Sequence, residues 1–220
     1  MGCSILVLQL FIAGAAVAGS VSYSASVTPA SMTDWTQVLS ISKFDPASIP
    51  GSILQSVDID LTGYLTGDMR IENMSPSPSK ATMTLSSILE LQAPDNSTLV
   101  TVSPQVVRDV TLTGFDNQLD WGGTSGNTVL GLSAFKTATV NITAPASLAM
   151  FTGSGNVACP VTATGNSLAQ GSGNLAAWFT TLAAADVRVT YNYAVPEPGS
   201  LLALGTGFIG LMGLALRRKH

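Results

Sequence analysis

Val57-Asp58-Ile59-Asp60-Leu61-Thr62-Gly63-Tyr64-Leu65-Thr66-Gly67-Asp68-Met69-Arg70-Ile71-Glu72 is the stretch whose reading decides the fold. Apolar side chains hold the odd positions Val57, Ile59, Leu61, Leu65, Met69 and Ile71, while Asp58, Asp60, Thr62, Thr66, Asp68, Arg70 and Glu72 hold even ones. A period of two sends alternate side chains to opposite faces of an extended chain, one face inward and one toward water. Gly63 and Gly67 interrupt the run, so it reads as two half-buried strands joined near them.

Working outward, the same alternation returns at Met83-Leu85-Leu89-Leu91, Val106-Val110-Leu112, Ala138-Val140-Ile142, Val157-Cys159-Val161 and Val187-Val189-Tyr191-Tyr193. Trp35 to Phe44 makes an earlier strand, with Tyr23-Ala25-Val27 before it. Turn formers separate the runs: Ser75-Pro76-Ser77-Pro78, Ala93-Pro94-Asp95-Asn96, Gly122-Gly123-Thr124-Ser125-Gly126-Asn127 and Gly153-Ser154-Gly155-Asn156. Only Ala176 to Ala185 has the composition of a helical turn. The fold class is therefore all-β, a single antiparallel β-sandwich, with jelly-roll and immunoglobulin-like topologies both open.

The two ends do not belong to that pattern. Ile5 to Val17 is an apolar run closed by Ala16-Val17-Ala18, a small-x-small site before Gly19, which reads as a secretory signal peptide over residues 1–18. Its first residues carry no Lys or Arg, which leaves the translation start open. The other end, residues 195–220, has three parts: Val195-Pro196-Glu197-Pro198-Gly199-Ser200, an uncharged block from Leu201 to Leu216, and Arg217-Arg218-Lys219-His220. Prolines hold the first part extended and accessible. The 16-residue block, at about 1.5 Å per residue, covers roughly 24 Å of hydrocarbon as a helix. Arg217, Arg218 and Lys219 stop transfer and stay cytoplasmic. An uncut tail anchor would share the block and the basic end; the Pro196-Glu197-Pro198 strip sets this one apart.

Residues 19–194 remain as one domain, large enough to bury a core. All 13 acidic residues lie between Gly19 and Gly199, against only Lys43, Arg70, Lys80, Arg108, Lys136 and Arg188. Such a body does not seek nucleic acid or anionic lipid. Cys159 is the single cysteine left after leader removal, so no internal disulfide forms, and its place between Val157 and Val161 reads as a small core residue.

Little in the body points to chemistry. The only histidine is His220, in the tail, which removes Ser-His-Asp and Cys-His arrangements and most His-based metal sites. Asp58 and Asp60 share a strand face, but it is the solvated one. The loop Phe115 to Gly123 offers Asp116, Asn117 and Asp120 as hard oxygen ligands for Ca2+, though the same residues are ordinary turn formers. Gly153-Ser154-Gly155-Asn156 and Gly171-Ser172-Gly173-Asn174 read as turns, not phosphate cradles. Of Trp35, Trp121 and Trp178, Trp121 is the expected exposed indole and hence the candidate glycan contact.

Two resemblances sharpen these readings. Pro196-Glu197-Pro198, the apolar block with Gly205, Gly207, Gly210 and Gly213, and Arg217-Arg218-Lys219 resemble the PEP-CTERM sorting signal. That resemblance implies recognition and removal of the tail by an exosortase-type protease at the inner membrane. It also implies export to the cell surface or matrix of an exopolysaccharide-producing Gram-negative bacterium. Phe44-Asp45-Pro46, Glu72-Asn73, Gly114-Phe115-Asp116, Trp121-Gly122-Gly123, Phe151-Thr152-Gly153 and Val189-Thr190-Tyr191-Asn192-Tyr193 resemble the landmarks of the choice-of-anchor E domain over roughly residues 23–193. The latter family brings no enzymatic activity with it. The expectation is a non-enzymatic surface protein with exopolysaccharide as partner, and a carbohydrate-binding module as the alternative.

Overall fold

The computed structural model describes residues 16–196. They form two antiparallel sheets facing one another. The first holds β1 (Ala16–Met32), β10 (Leu175–Pro196), β3 (Ile53–Asn73) and β7 (Gly126–Ile142), in that order. The second is built on β4 (Ser79–Gln92), with β8 (Asn156–Gly165) and β2 (Trp35–Ser42) to one side and β5 (Thr98–Val102) to the other. The leading half of β4 pairs instead with β6 (Gln105–Leu112) and β9 (Leu168–Gly171). Pro104, which cannot donate to a ladder, separates β5 from β6. A single short helix, α1 (Pro145–Met150), links β7 to β8.

The chain changes sheet at each step from β1 to β4, and its last strand returns to pair with its first. An immunoglobulin sandwich keeps its first hairpin within one sheet. This order is that of a jelly roll, which settles the topology left open above.

Burial follows the alternation. Val57, Ile59, Leu61, Leu65, Met69 and Ile71 are fully buried, as are Met83, Leu85, Leu89 and Leu91 from the facing sheet. Each such side chain contributes about 1.5–3 kcal/mol when taken from water. Cys159 lies in the same core, as its phase required. The core is divided along the strands into one cluster around Val57, Ile59, Leu61 and Tyr191 and a second around Leu65, Met69, Ile71 and Met83.

Two sequence expectations are corrected. The stretch 57–72 is one continuous strand and not a hairpin. Its glycines serve close approach: a Cβ on Gly63 would meet Val102 at 2.7 Å, and one on Gly67, at φ +158, would run into the Thr180 carbonyl oxygen. Ala176 to Ala185 is strand and not helix, paired residue for residue with Glu72 through Gly63. Cross-strand pairing along a long neighbour outweighs alanine's helix preference.

The β1–β10 ladder runs from Met32↔Leu182 to Ala16↔Pro196. It therefore passes both expected domain boundaries and takes in the Ala16-Val17-Ala18 site. Among the described residues no helix is long and apolar enough to cross a membrane. The expected membrane helix, residues 201–216, and most of the leader lie outside the described residues.

Candidate functional site

The loop between β6 and β7 lies over the end of β3. Asp116 and Asp120 each accept a backbone hydrogen bond from two residues on, from Gln118 at 2.9 Å and Gly122 at 2.8 Å, so both carboxylates brace the loop's own turns. Asn117 and Trp121 take positive φ, 70° and 61°. Beneath them Glu72 is fully buried: one carboxylate oxygen accepts the Trp121 N–H at 3.0 Å, and the other has no hydrogen-bond partner. Asn73 beside it is also fully buried and spends its amide on three bonds, donating to Ser77 and Thr113 carbonyls and accepting from the Ser75 N–H. Among the described residues no three His, Cys, Asp or Glu side chains gather as a metal-holding group. Of the residues expected as Ca2+ ligands, Asp116 and Asp120 brace turns and Asn117 takes a positive-φ turn position.

The expectation that Trp121 is the exposed indole is corrected. Trp121 is half-buried over Glu72, and Trp35 packs against the core. Trp178 is the exposed one, at 61%. It stands on the outer face of the four-stranded sheet, opposite Arg70 in the β10–β3 register. The even-numbered phase of β10 and β3 continues on that face through Thr180↔Asp68, Leu182↔Thr66, Ala184↔Tyr64, Asp186↔Thr62 and Arg188↔Asp60.

Two aromatics missed in the sequence share this face. Tyr64 and Phe135 are direct cross-strand neighbours, with ring centroids 6.4 Å apart and planes 38° from parallel. Phe135 is 72% exposed and Tyr64 39%. Interaction with the Asp186 carboxylate, and then burial, raises the Tyr64 phenol above its ordinary pKa. Next to the rings is a shallow hollow of about 580 Å3 crossing all four strands. Ser26, Asp186, Thr62 and Thr137 form one row across it, and Ser24, Arg188 and Asp60 the next. The signal for this site was available: Phe135 falls in the phase of Thr137, Thr139 and Asn141, and Tyr64 in that of Thr62 and Thr66. An aromatic in the polar phase of a strand is turned to water by construction.

The sorting strip begins where β10 ends. Pro196 is the last residue of the strand and pairs with Ala16, and Val195 pairs with Val17. Neither 195 nor 196 has a partner in β3, whose ladder with β10 stops at Ala194↔Ile53. Glu197, Pro198, Arg217, Arg218 and Lys219 lie outside the described residues.

Comparison with known proteins defines the class of signal first. Residues 194–219 match the PEP-CTERM protein-sorting motif, so the carboxyl end carries a signal for exosortase-dependent sorting to the surface. No curated protein matches the chain. Among solved structures, the cyanophage Pam1 capsid asymmetric unit aligns at 14% identity over 88% of this chain and 94% of that one, with a TM-score of 0.25. Desmodium yellow mottle tymovirus aligns at 10% identity over 89% and 97%, also at 0.25. The infectious bursal disease virus VP2 subviral particle aligns at 12% identity over 90% and 49%, at 0.17. Superposition this poor carries no argument about topology or function.

Proposed function

We propose that the chain is the precursor of an exported surface or extracellular-matrix protein, a β-sandwich of the choice-of-anchor E kind with no reaction of its own. The single observation that carries the sorting part is the match of residues 194–219 to the PEP-CTERM motif. In this reading the leader 1–18 directs export and the block 201–216 parks the precursor in the inner membrane with its C-terminus cytoplasmic. Arg217, Arg218 and Lys219 stop transfer, and an exosortase-type protease reads Pro196-Glu197-Pro198. The delivered body associates with exopolysaccharide. A body without histidine supports the non-enzymatic part, because the commonest general base is missing. An excess of carboxylates supports a partner that is not nucleic acid. The proposal includes no cofactor.

The structure adds one reason for the strip's position. Pro196 is the last residue of β10 and cannot donate a ladder hydrogen bond, which supports the strip that starts there as the stretch the protease reads. Replacing Pro196, Glu197 and Pro198 by alanine, or deleting Arg217 through His220, should leave an uncut, membrane-retained precursor on a gel of fractionated cells. Normal maturation of both variants refutes the sorting assignment.

A further inference from the structure

We propose that the outer face of the four-stranded sheet is a binding platform for a neutral polysaccharide chain. Its stacking surface is the Tyr64–Phe135 ring pair, and its hydrogen-bonding floor is the hollow beside them. The proposal deepens the matrix association above by giving it a site, and rests on that reading only for the partner's origin.

Phe135 contributes nothing to the core at 72% exposure, and its ring stands against Tyr64 on a sheet face that also carries Leu182 and Ala184 but is otherwise mostly serine, threonine and charged residues around the hollow. An occupant must therefore offer an apolar face to two rings and, within the same few ångströms, a polar edge to hydroxyls and charged groups. A pyranose ring has both: its C–H face stacks on an aromatic ring, and its hydroxyls donate and accept at the rim. Asp60 and Asp186 accept from sugar hydroxyls, and Arg188 donates to them, with charge-assisted strength. Asp186 pairs with Thr62, two residues before Tyr64 on the same face of β3, which sets the floor directly beside the stacking surface.

Charge selects the kind of chain. Two carboxylates against one guanidinium in the hollow, on a protein of formal net charge −4, oppose a polyanion. A protein partner fits less well, because a stable interface buries about 800 Å² per side around an apolar centre. Two rings among carboxylates and hydroxyls do not supply that. The face is also elongated. Trp178 stands in the same phase six residues along β10 from Ala184, or about 20 Å from the ring pair at the rise of a strand. That spacing suits a polymer of several sugar units more than a monosaccharide.

The test is affinity electrophoresis of the detergent-solubilised full-length chain. The gels contain dextran, hydroxyethylcellulose, galactomannan or the host's own neutral exopolysaccharide, with alginate as the anionic control. The expected result is retardation by at least one neutral polymer and none by alginate. Phe135→Ala and Tyr64→Ala should each weaken retardation at least tenfold, Asp186→Asn should weaken it less, and Phe135→Trp should preserve it. Trp121→Ala should bind as wild type. Circular dichroism should show all variants folded, since these side chains lie outside the core. Retardation by alginate alone, unchanged binding in Phe135→Ala, or no retardation in any neutral polymer overturns the proposal. Loss of self-association in Phe135→Ala without retardation makes the face a contact between copies and overturns it too. A chain that is cut at its tail but binds no polymer sinks this inference and leaves the sorting assignment standing.

Discussion

Replacing Cys159 with alanine should make the protein's stability less sensitive to alkaline pH. Burial pushes the Cys159 thiol up from 9.0 to about 11, because the thiolate has no water or cation to meet in the core. Below pH 9 the thiol is protonated in both folded and unfolded chains, and its stabilising contribution is fully present. As pH rises past 9 the unfolded chain gives up this proton first, so folding weakens until the folded thiol also ionises near 11. At about 1.4 kcal/mol per pH unit, the loss at pH 10.5 is about 2 kcal/mol. Tyr191, whose phenol is likewise raised, chiefly by burial and then by Cys159 and Tyr23, adds a loss of the same sign starting near pH 10. At pH 8 the alanine variant should be less stable by about 1–2 kcal/mol for the lost sulfur contacts. Urea unfolding under reducing conditions at pH 8 and 10.5 reads both quantities. The gap between wild type and Cys159→Ala should narrow or vanish at pH 10.5. A gap unchanged between the two pH values refutes the claim that the folded core desolvates this thiol.

Three further perturbations follow from the packing. Gly67→Ala forces a Cβ into the Thr180 carbonyl, so it should destabilise by roughly 3 kcal/mol or more, seen as a large fall in the urea midpoint or as insoluble expression. Tyr191→Phe keeps the ring beside Phe44 and removes the bond that its hydroxyl donates to the Ser42 carbonyl at 2.8 Å; calorimetry should show a loss of about 1–2 kcal/mol, or roughly 3–7 °C in Tm. Asn73→Ala deletes three buried bonds that tie residues 75 to 77 and Thr113 together, and should cost about 3 kcal/mol while raising hydrogen exchange in the loop after β6.

The sandwich was legible because period two is a local signal. Each buried odd position of 57–71 could be named without knowing what it faced. Chain-level facts were not legible in the same way. Gly63 and Gly67 look like turn residues in sequence, and only the approach of Val102, Leu89 and Thr180 shows why glycine stands inside a strand. The alanines of 176–185 have a helical composition, and only the neighbouring ladder overrides it. For the site, Trp121 drew the reading because its loop is polar, yet the loop folds back over Glu72 and half-covers the indole. Phe135 and Tyr64 carried a readable phase but no motif, and a pair across two strands some 70 positions apart becomes visible only through register. The carboxyl signal was the opposite case: all of its information is contiguous, and residue order alone identified it.

The place of β10 between two ladders has a mechanical side. β10 lies between β1 and β3, held by both for most of its length, and its carboxyl end leads in sequence into the sorting signal. A pull applied at Pro196 runs lengthwise along the strand, so two rows of bonds resist in parallel instead of opening one by one. The polymer platform sits on that same strand and its neighbours, and tension from a captured chain therefore reaches the tether without crossing a loop. In force spectroscopy such a body should yield in a single high-force event, and low-force peeling of β10 would contradict it.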